Sequence, residues 1–152
     1  MQQQTFIIGS REFTCARMNP FEANRLLLRG QKLVMPVIGA IFGGSKGKAS
    51  SIMDMDVKEA AMAIADNLDE SIMDTIILPM FVDSKVYSNE NKKFIKGPGE
   101  INQCFTTENL LDFYELIFEV ARYQFGPFLD RLVERFGSLV EAPKSQGESQ
   151  AS

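Results

Sequence analysis

The segment at residues 5–28, TFIIGSREFTCARMNPFEANRLLL, constrains the fold of this chain most strongly. It begins with two short stretches rich in β-branched and aromatic residues, separated by Gly9-Ser10, which is typical of a two-residue hairpin turn. With this turn Phe6 lies opposite Phe13, and alternate side chains share one apolar face. We therefore predict an N-terminal β-hairpin that packs on the rest of the protein through Phe6, Ile8, Phe13 and Cys15.

The same segment predicts where the first helix begins. Asn19 can cap the helix through its side-chain oxygen, and Pro20 suits the first helical position. Glu22 completes a variant of the capping box. Apolar residues then recur at helical spacing until Pro36 interrupts them. We therefore predict a helix from Pro20 to about Val34.

Two further helices are predicted after a loop at residues 43–51. The sequence of this loop, GGSKGKASS, is small, polar and basic, as in a connection rather than a packed element. Asp56 can cap the second helix, whose apolar stripe continues to Leu68. The third helix begins at Glu70 and is predicted to run until Pro79 disrupts it near Phe81.

A loop at residues 83–99 separates the third helix from the fourth. The loop is rich in Ser, Asn, Lys, Gly and Pro, and two short apolar pairs within it are compatible with a second hairpin. Thr106 or Thr107 can cap the fourth helix. Its apolar stripe at residues 110–125 is the strongest helical signal in the chain.

A break is predicted at Gly126-Pro127, so that the fourth helix meets a short fifth helix at a tight corner. The fifth helix ends at Gly137. Beyond it, a polar sequence predicts a disordered tail at residues 138–152, which leaves one globular domain at residues 1–137. The predicted fold class is mainly α (α+β), with about five helices and the N-terminal β-hairpin packed on the helical core.

Enzymatic chemistry is disfavoured because the chain contains no histidine, the most common general base and metal ligand. Cys15 and Cys104 cannot fill a tetrahedral zinc site and are interpreted as small buried hydrophobic residues. Acidic neighbours near the predicted helix ends are interpreted as caps and solvated charge. We therefore predict no catalytic residue, no metal and no cofactor.

Nucleotides, nucleic acids and membranes are also disfavoured as ligands. The loop at residues 43–51 departs from the spacing of a P-loop, because Phe42 stands where glycine is required and Ala49 follows Lys48. The net charge of −4 argues against a general nucleic-acid binder. The longest apolar run, residues 33–42, is about half of the ~20 residues that a bilayer span requires. We see no leader peptide and expect the cytoplasm.

Soft apolar side chains are abundant, with twelve phenylalanines and eight methionines. Most of them are expected in the core, but Phe and Met also build adaptable grooves that accept helices of variable sequence. The predicted corner combines aromatic residues with a rigid bend, and both interpretations stay open there. The candidate partner-binding surface consists of Tyr123, Phe125, Phe128, Leu132 and Phe136.

Two blocks of the sequence resemble the tail assembly chaperones of long-tailed bacteriophages. Residues 5–41, TFIIGSREFTCARMNPFEANRLLLRGQKLVMPVIGAI, are similar to that family's opening hairpin, Leu-rich helix and apolar stretch ending in small residues. Residues 108–132, ENLLDFYELIFEVARYQFGPFLDRL, are similar to its closing helix, which leads into an aromatic-Gly-x-Phe corner. Together the two blocks cover under half of the chain.

The resemblance implies a mostly helical protein that acts in the cytoplasm of the infected bacterial cell. Such a protein binds the tape measure protein, keeps its hydrophobic helices soluble and helps to recruit tail tube subunits during tail morphogenesis. It leaves before the virion is complete, and in many phages a longer form is made by ribosomal frameshifting. A homo-oligomer stays open, as do two alternatives: a structural tail or baseplate component, and a small phage-encoded inhibitor of a host protein.

Overall fold

The structure, a computed structural model, describes residues 3–30 and 56–151, with side chains as far as Phe128 and at Asp130 and Arg131. Within these ranges two β-hairpins form one four-stranded sheet, and five helices accompany it. The predicted α+β class, with about five helices and an N-terminal hairpin, is confirmed. The number of helices agrees with the prediction, but two of the predicted helices are one helix and another was not predicted.

The N-terminal hairpin has the predicted strands, turn and register. Strand β1 (Gln3–Ile8) pairs antiparallel with strand β2 (Arg11–Ala16), and Phe6 lies opposite Phe13. Gly9 in the turn has a φ of 63°, a left-handed conformation that glycine adopts without strain. The four residues predicted to face the core are all buried: Phe6, Ile8, Phe13 and Cys15.

The second hairpin, which the sequence left open, is present and extends the first. Its strands are β3 (Tyr87–Ser88) and β4 (Lys93–Phe94), and the sheet order is β1-β2-β3-β4. Thr14 of β2 pairs with Tyr87 of β3. The sheet therefore joins the N-terminal segment to a part of the chain more than 70 residues away.

The first two helices begin where their caps predict. In α1 (Pro20–Arg29), the Glu22 backbone N–H donates to Asn19 Oδ1 over 2.9 Å. In α2 (Val57–Asn67), Asp56 caps through a 3.1 Å bond from Lys58 N. Helix α1 ends at Arg29, where the Gly30 N–H closes the last turn on the Leu26 carbonyl at 2.8 Å. The predicted continuation of this helix to about Val34 lies outside the described residues. The predicted loop at residues 43–51 lies outside the described residues.

The third helix, α3, continues to Asp83 in three parts: α-helix at Glu70–Ile72, a π-helical turn at Met73–Ile77 and α-helix at Leu78–Asp83. The helix thus ends two residues beyond the predicted end near Phe81, but the prediction that Pro79 disrupts it is wrong. A proline has no N–H for the carbonyl four residues earlier, here that of Thr75. The Arg29 guanidinium donates to this carbonyl over 3.4 Å, while the π-turn shifts the preceding bonds by one residue.

Helix α4 (Pro98–Cys104) was not predicted, because Gly97, Pro98 and Gly99 suggest a turn. Pro98 instead occupies the first helical position, where the missing N–H has no cost. A 3₁₀ turn at Thr107–Asn109 then leads into the last helix. Thr106 caps this turn as predicted, and its own N–H donates to Asn109 Oδ1 over 2.6 Å.

The last helix, α5 (Leu110–Ala151), continues through the predicted corner. The prediction of a break at Gly126-Pro127 is therefore wrong, and the fourth and fifth predicted helices are one. The reason lies in a long-range contact: Arg17 donates to the Tyr123 carbonyl, the acceptor that Pro127 leaves without a partner. The division of the chain at residue 137 stays a prediction, since side chains from Leu132 onward lie outside the described residues.

A series of aromatic rings links the sheet to the helices through the core. Phe81 of α3 meets Phe113 of α5 edge to face at 6.1 Å between ring centroids. Phe113 contacts Phe105 at 5.6 Å, and Phe105 stacks on Phe13 of the sheet at 5.6 Å. Such ring pairs contribute about 0.5–1.5 kcal/mol each beyond the area that they bury. Phe105, in the linker before α5, is therefore a central packing residue.

Candidate partner-binding surface

Gln124 attaches α5 to the end of the N-terminal hairpin. Its Nε2 donates to the Ala16 carbonyl over 2.6 Å and to Ser84 Oγ over 3.0 Å. Its Oε1 accepts a 3.0 Å bond from the backbone N–H of Met18. The three partners are buried, so one side chain satisfies polar groups that water does not reach.

Arg17 adds two contacts at the same junction. Its guanidinium donates to the Tyr123 carbonyl, and its charged carbon lies 3.8 Å from the centroid of the Tyr123 ring. Phe6 meets the same ring edge to face at 6.3 Å. We call Arg17, Tyr123 and Gln124 the latch, because their contacts hold α5 against the end of the hairpin one turn before Pro127.

The structure separates the five residues of the predicted partner-binding surface. Tyr123 is half-buried in the latch, and its hydroxyl is buried with no hydrogen-bond partner among the described residues. Phe125 is 8% exposed and belongs to the core, whereas Phe128 is 50% exposed. The side chains of Leu132 and Phe136 lie outside the described residues. Phe128 is thus the described member of the set that is available to a partner.

Large apolar side chains are also exposed elsewhere in the described part of the chain. Two of them, Leu110 and Leu111, lie at the start of α5, far along the helix from Phe128. The others lie on the sheet, on α1, on α2 and on α3: Ile7, Phe21, Leu28, Met62, Val82 and Phe94. Exposed apolar groups that cluster, rather than single ones, indicate a binding surface.

Where α3, α4 and the start of α5 meet, exposed Leu110 lies beside the half-buried side chains of Met73, Leu78 and Ile101. These elements surround an open cavity of about 420 Å³. Phe105 and Phe113 are buried at its base, and Leu110 is exposed at its edge. The complete lining is Met73, Asp74, Leu78, Pro98, Ile101, Asn102, Phe105, Thr106, Thr107, Leu110 and Phe113.

A second open cavity, of about 400 Å³, adjoins the first and shares Met73, Asp74 and Phe113 with it. We call the two cavities together the groove. The second cavity adds Leu68 and Tyr114 to the apolar lining, and Asp69 and Glu70 to the acidic lining. The described residues that line the groove therefore include three carboxylates and no basic side chain.

The groove was not predicted, because most of its residues come from three helices and one of those helices was not predicted. No local signal in the sequence marks it. Leu110, its exposed apolar residue, belongs to the apolar stripe that predicts α5. Leu111, which the stripe leaves out, does not line the groove.

Burial shifts the pKa of two groups near the N-terminal hairpin and α3, the Cys15 thiol and the Asp83 carboxyl. Burial raises the pKa of the Cys15 thiol to about 12, against the opposing charge of Arg17, so this thiol is protonated and inert at neutral pH. Burial, aided by the charge of Glu22, also raises the pKa of the Asp83 carboxyl. Cys15 and Cys104 are both buried free thiols, as predicted.

Neither a metal site nor a membrane-spanning helix is found within the described ranges. No group of three or more Cys, Asp or Glu side chains there has the arrangement to hold a metal ion. None of the helices described has both the length and the apolar character needed to cross a bilayer.

The fold and the surface together define a class of protein: a small α+β domain whose exposed phenylalanines and open apolar groove suit it to bind other polypeptides. The family model described as phage tail assembly chaperone protein, TAC, matches residues 9–137 of the chain. The chain therefore belongs to the phage tail assembly chaperone family, as its resemblance to that family implied. No curated protein and no solved structure matches it.

Proposed function

We propose that this protein binds the tape measure protein of its phage, keeps the hydrophobic helices of that protein soluble and helps to recruit tail tube subunits around it. The observation that carries the proposal is the family match over residues 9–137. In this role the protein acts in the cytoplasm of the infected bacterial cell and is not an enzyme. It needs no cofactor, because binding alone prevents aggregation of the partner.

The exposed apolar side chains support this role physically. A helix of an unassembled partner exposes apolar area, and covering that area stabilises the soluble complex by about 25 cal/mol per Å². Phe128, 50% exposed on α5, can cover such area without leaving the core of the chaperone. The latch holds the adjacent turn of α5 in place, so the loss of freedom on binding is small at this site.

Co-expression of the tape measure protein with this chain tests the proposal. We expect the wild-type chain to keep most of the tape measure protein in the soluble fraction, and Phe128→Ala to reduce that fraction severalfold. Phe94→Ala is the matched control, because Phe94 is 47% exposed but lies on the sheet in β4. Circular dichroism must show that both variants remain folded.

Two results would contradict different parts of the proposal. A tape measure protein that precipitates equally with and without the wild-type chain would overturn the chaperone role. Equal solubility with Phe128→Ala and with wild type would remove Phe128 from the binding surface and leave the role intact.

The time at which the protein acts is tested on purified particles. A tail assembly chaperone leaves before the virion is complete, so mass spectrometry of mature phage should detect the tape measure protein and not this chain. Detection of this chain in amounts equal to those of a tail subunit would instead favour a structural component.

A further inference from the structure

We infer that the groove between α3, α4 and the start of α5 docks an amphipathic helix of the partner whose apolar stripe is flanked by lysine or arginine. The inference rests on the proposed function, since it assigns the chemistry of the segment that the chaperone holds. It concerns a surface at the start of α5, whereas Phe128 lies further along the same helix.

The base of the groove suits the apolar stripe of a helix. Phe105 and Phe113 are buried and fixed in the core by their ring contacts, so the base does not have to form on binding. Met73 and Ile101 are half-buried above it, and Leu110 is 44% exposed at the edge. A partner that completes the burial of these three side chains gains apolar contact area with little loss of conformational freedom.

The two cavities of the groove suit successive side chains of one helix. They hold about 420 and 400 Å³ and share Met73, Asp74 and Phe113 in their linings. A helix presents neighbouring apolar side chains at i, i+3, i+4 and i+7 along one face. One cavity can receive the first anchor and the second cavity can receive an anchor about one turn further on.

The charges of the groove select the flanks of that helix. Asp69, Glu70 and Asp74 are exposed and border the apolar surface. Glu70 and Asp74 lie four residues apart on α3, an arrangement of like charges that weakens a helix by a few tenths of a kcal/mol. Basic side chains from a partner relieve this repulsion and form ion pairs, whereas acidic flanks increase it.

The first experiment compares two synthetic peptides against the full chain by fluorescence anisotropy. Both carry the same stripe of leucines at i, i+3, i+4 and i+7, with lysines on both flanks in one peptide and glutamates in the other. We expect the lysine peptide to bind at least about tenfold more tightly at low salt and to lose this advantage at high salt. Equal binding of the two peptides would overturn the inference.

Substitutions locate the binding. The double variant Glu70→Gln, Asp74→Asn removes two charges from the groove and should weaken binding of the lysine peptide by about tenfold. Glu59→Gln with Glu90→Gln is the matched control, because it removes the same charge from exposed positions that do not line the groove. Equal weakening by both double variants would show a general charge effect and would overturn the inference.

An apolar pair provides the same comparison for the hydrophobic contacts. Leu110→Ala should weaken binding severalfold, because Leu110 lines the groove. Met62→Ala should leave binding unchanged, because Met62 is 55% exposed on α2 and does not line the groove. The reverse order of effects would place the peptide on α2 and contradict the inference.

The wild-type chain offers a measurement that needs no substitution. With methyl-labelled methionines and a spin-labelled lysine peptide, the NMR signal of Met73 should broaden on binding while that of Met62 persists. Broadening of the Met62 signal alone would contradict docking of the peptide in the groove.

Failure of the inference and failure of the proposed function are distinguishable by solubility of the tape measure protein in co-expression. If the wild-type chain and the groove double variant keep it equally soluble, the groove is not the site and the chaperone role stands. If the wild-type chain does not keep it soluble, the chaperone role itself fails.

Discussion

The groove and the latch lie at the two ends of residues 110–128 of α5. They differ in how far their polar and apolar groups find partners within the chain. At the latch, Gln124 and Arg17 satisfy the backbone groups of the hairpin and of the helix within the chain itself. At the groove, apolar side chains stay partly exposed and three carboxylates have no basic neighbour in the lining. The latch thus uses its contacts for the fold. In the groove Asp69 caps α3 through a 2.7 Å bond from the Ile72 N–H, whereas Glu70, Asp74 and Leu110 remain exposed.

The difference agrees with the role of a chaperone that must fold alone and still bind. Its core needs contacts that persist without a partner, and its binding surface needs apolar area that persists without causing self-association. On our inference that the groove binds the partner, the acidic residues beside it serve the second need, because like charges on two copies of the chain repel each other. Variants at the two ends test this division.

The largest effect is expected where the groove meets the core. Phe105→Ala removes a buried ring stacked on Phe13 and should lower the free energy of unfolding by about 3–5 kcal/mol. Leu110→Ala at the edge of the groove should cost less than about 1 kcal/mol, because Leu110 is already partly exposed. Urea denaturation measures the free energy of unfolding of both variants. A similar loss of stability in Phe105→Ala and Leu110→Ala would show that the groove has no rigid base.

The latch should be the next most sensitive. Gln124→Ala leaves the Met18 N–H, the Ala16 carbonyl and the Ser84 hydroxyl without their partner, and should cost about 1–3 kcal/mol. Asn102→Ala is the control on the groove side, where an exposed side chain should change stability by no more than about 0.5 kcal/mol. Thermal denaturation measures the stability of both variants. An equal loss of stability in Asn102→Ala and Gln124→Ala would contradict the division between latch and groove.

A smaller effect tests why α5 continues through its proline. Arg17→Ala removes the donor to the Tyr123 carbonyl and should cost about 1 kcal/mol. In the background of Pro127→Ala the same change should cost less, because residue 127 regains an N–H that donates to that carbonyl. The cation–π contact of Arg17 with the Tyr123 ring is lost in both backgrounds, so its contribution cancels in the double-mutant cycle. If Arg17→Ala costs the same with Pro127 as with Ala at this position, Arg17 does not compensate for the proline.

The smallest effect concerns Glu115, which lies on α5 between the two ends. Burial raises the pKa of the Glu115 carboxyl most. A hydrogen bond that the protonated Glu115 donates to Asp112, and the negative charge of Asp112, raise it further. The folded state then binds this proton at higher pH than the unfolded state does, so the ionised carboxyl destabilises the fold as pH rises through the raised pKa.

Glu115→Gln removes this charge and keeps the shape of the side chain. Its Tm should exceed that of wild type at pH 7, and the difference should disappear near pH 3, where Glu115 is protonated in both states. A Tm below that of wild type at pH 7 would show that the ionised carboxyl is a favourable element of the fold.

Features that depend on neighbours in sequence were predictable. The hairpin turn at Gly9 and the caps at Asn19, Asp56 and Thr106 each require only residues within a few positions. These interactions are local, so a single sequence contains the information that specifies them. The apolar stripe of α5 was predictable for the same reason.

Features that depend on distant contacts were not predictable. In the sequence, Pro79 and Pro127 each predict the end of a helix. Both helices continue because Arg29 and Arg17 donate to the carbonyls that the prolines leave unpaired. These donors lie 46 and 106 residues from their acceptors. The groove was missed in the same way, since its lining comes together only when α3, α4 and α5 pack.

The central claim, that this protein is a chaperone for a hydrophobic helical partner, is tested most directly by light scattering. Denatured tape measure protein is diluted into buffer with an equimolar amount of the full wild-type chain, or with an unrelated acidic protein of similar size. The account predicts that scattering stays low with this chain and that both proteins elute together in size-exclusion chromatography. Equal scattering in the two mixtures, with no co-elution, would contradict it.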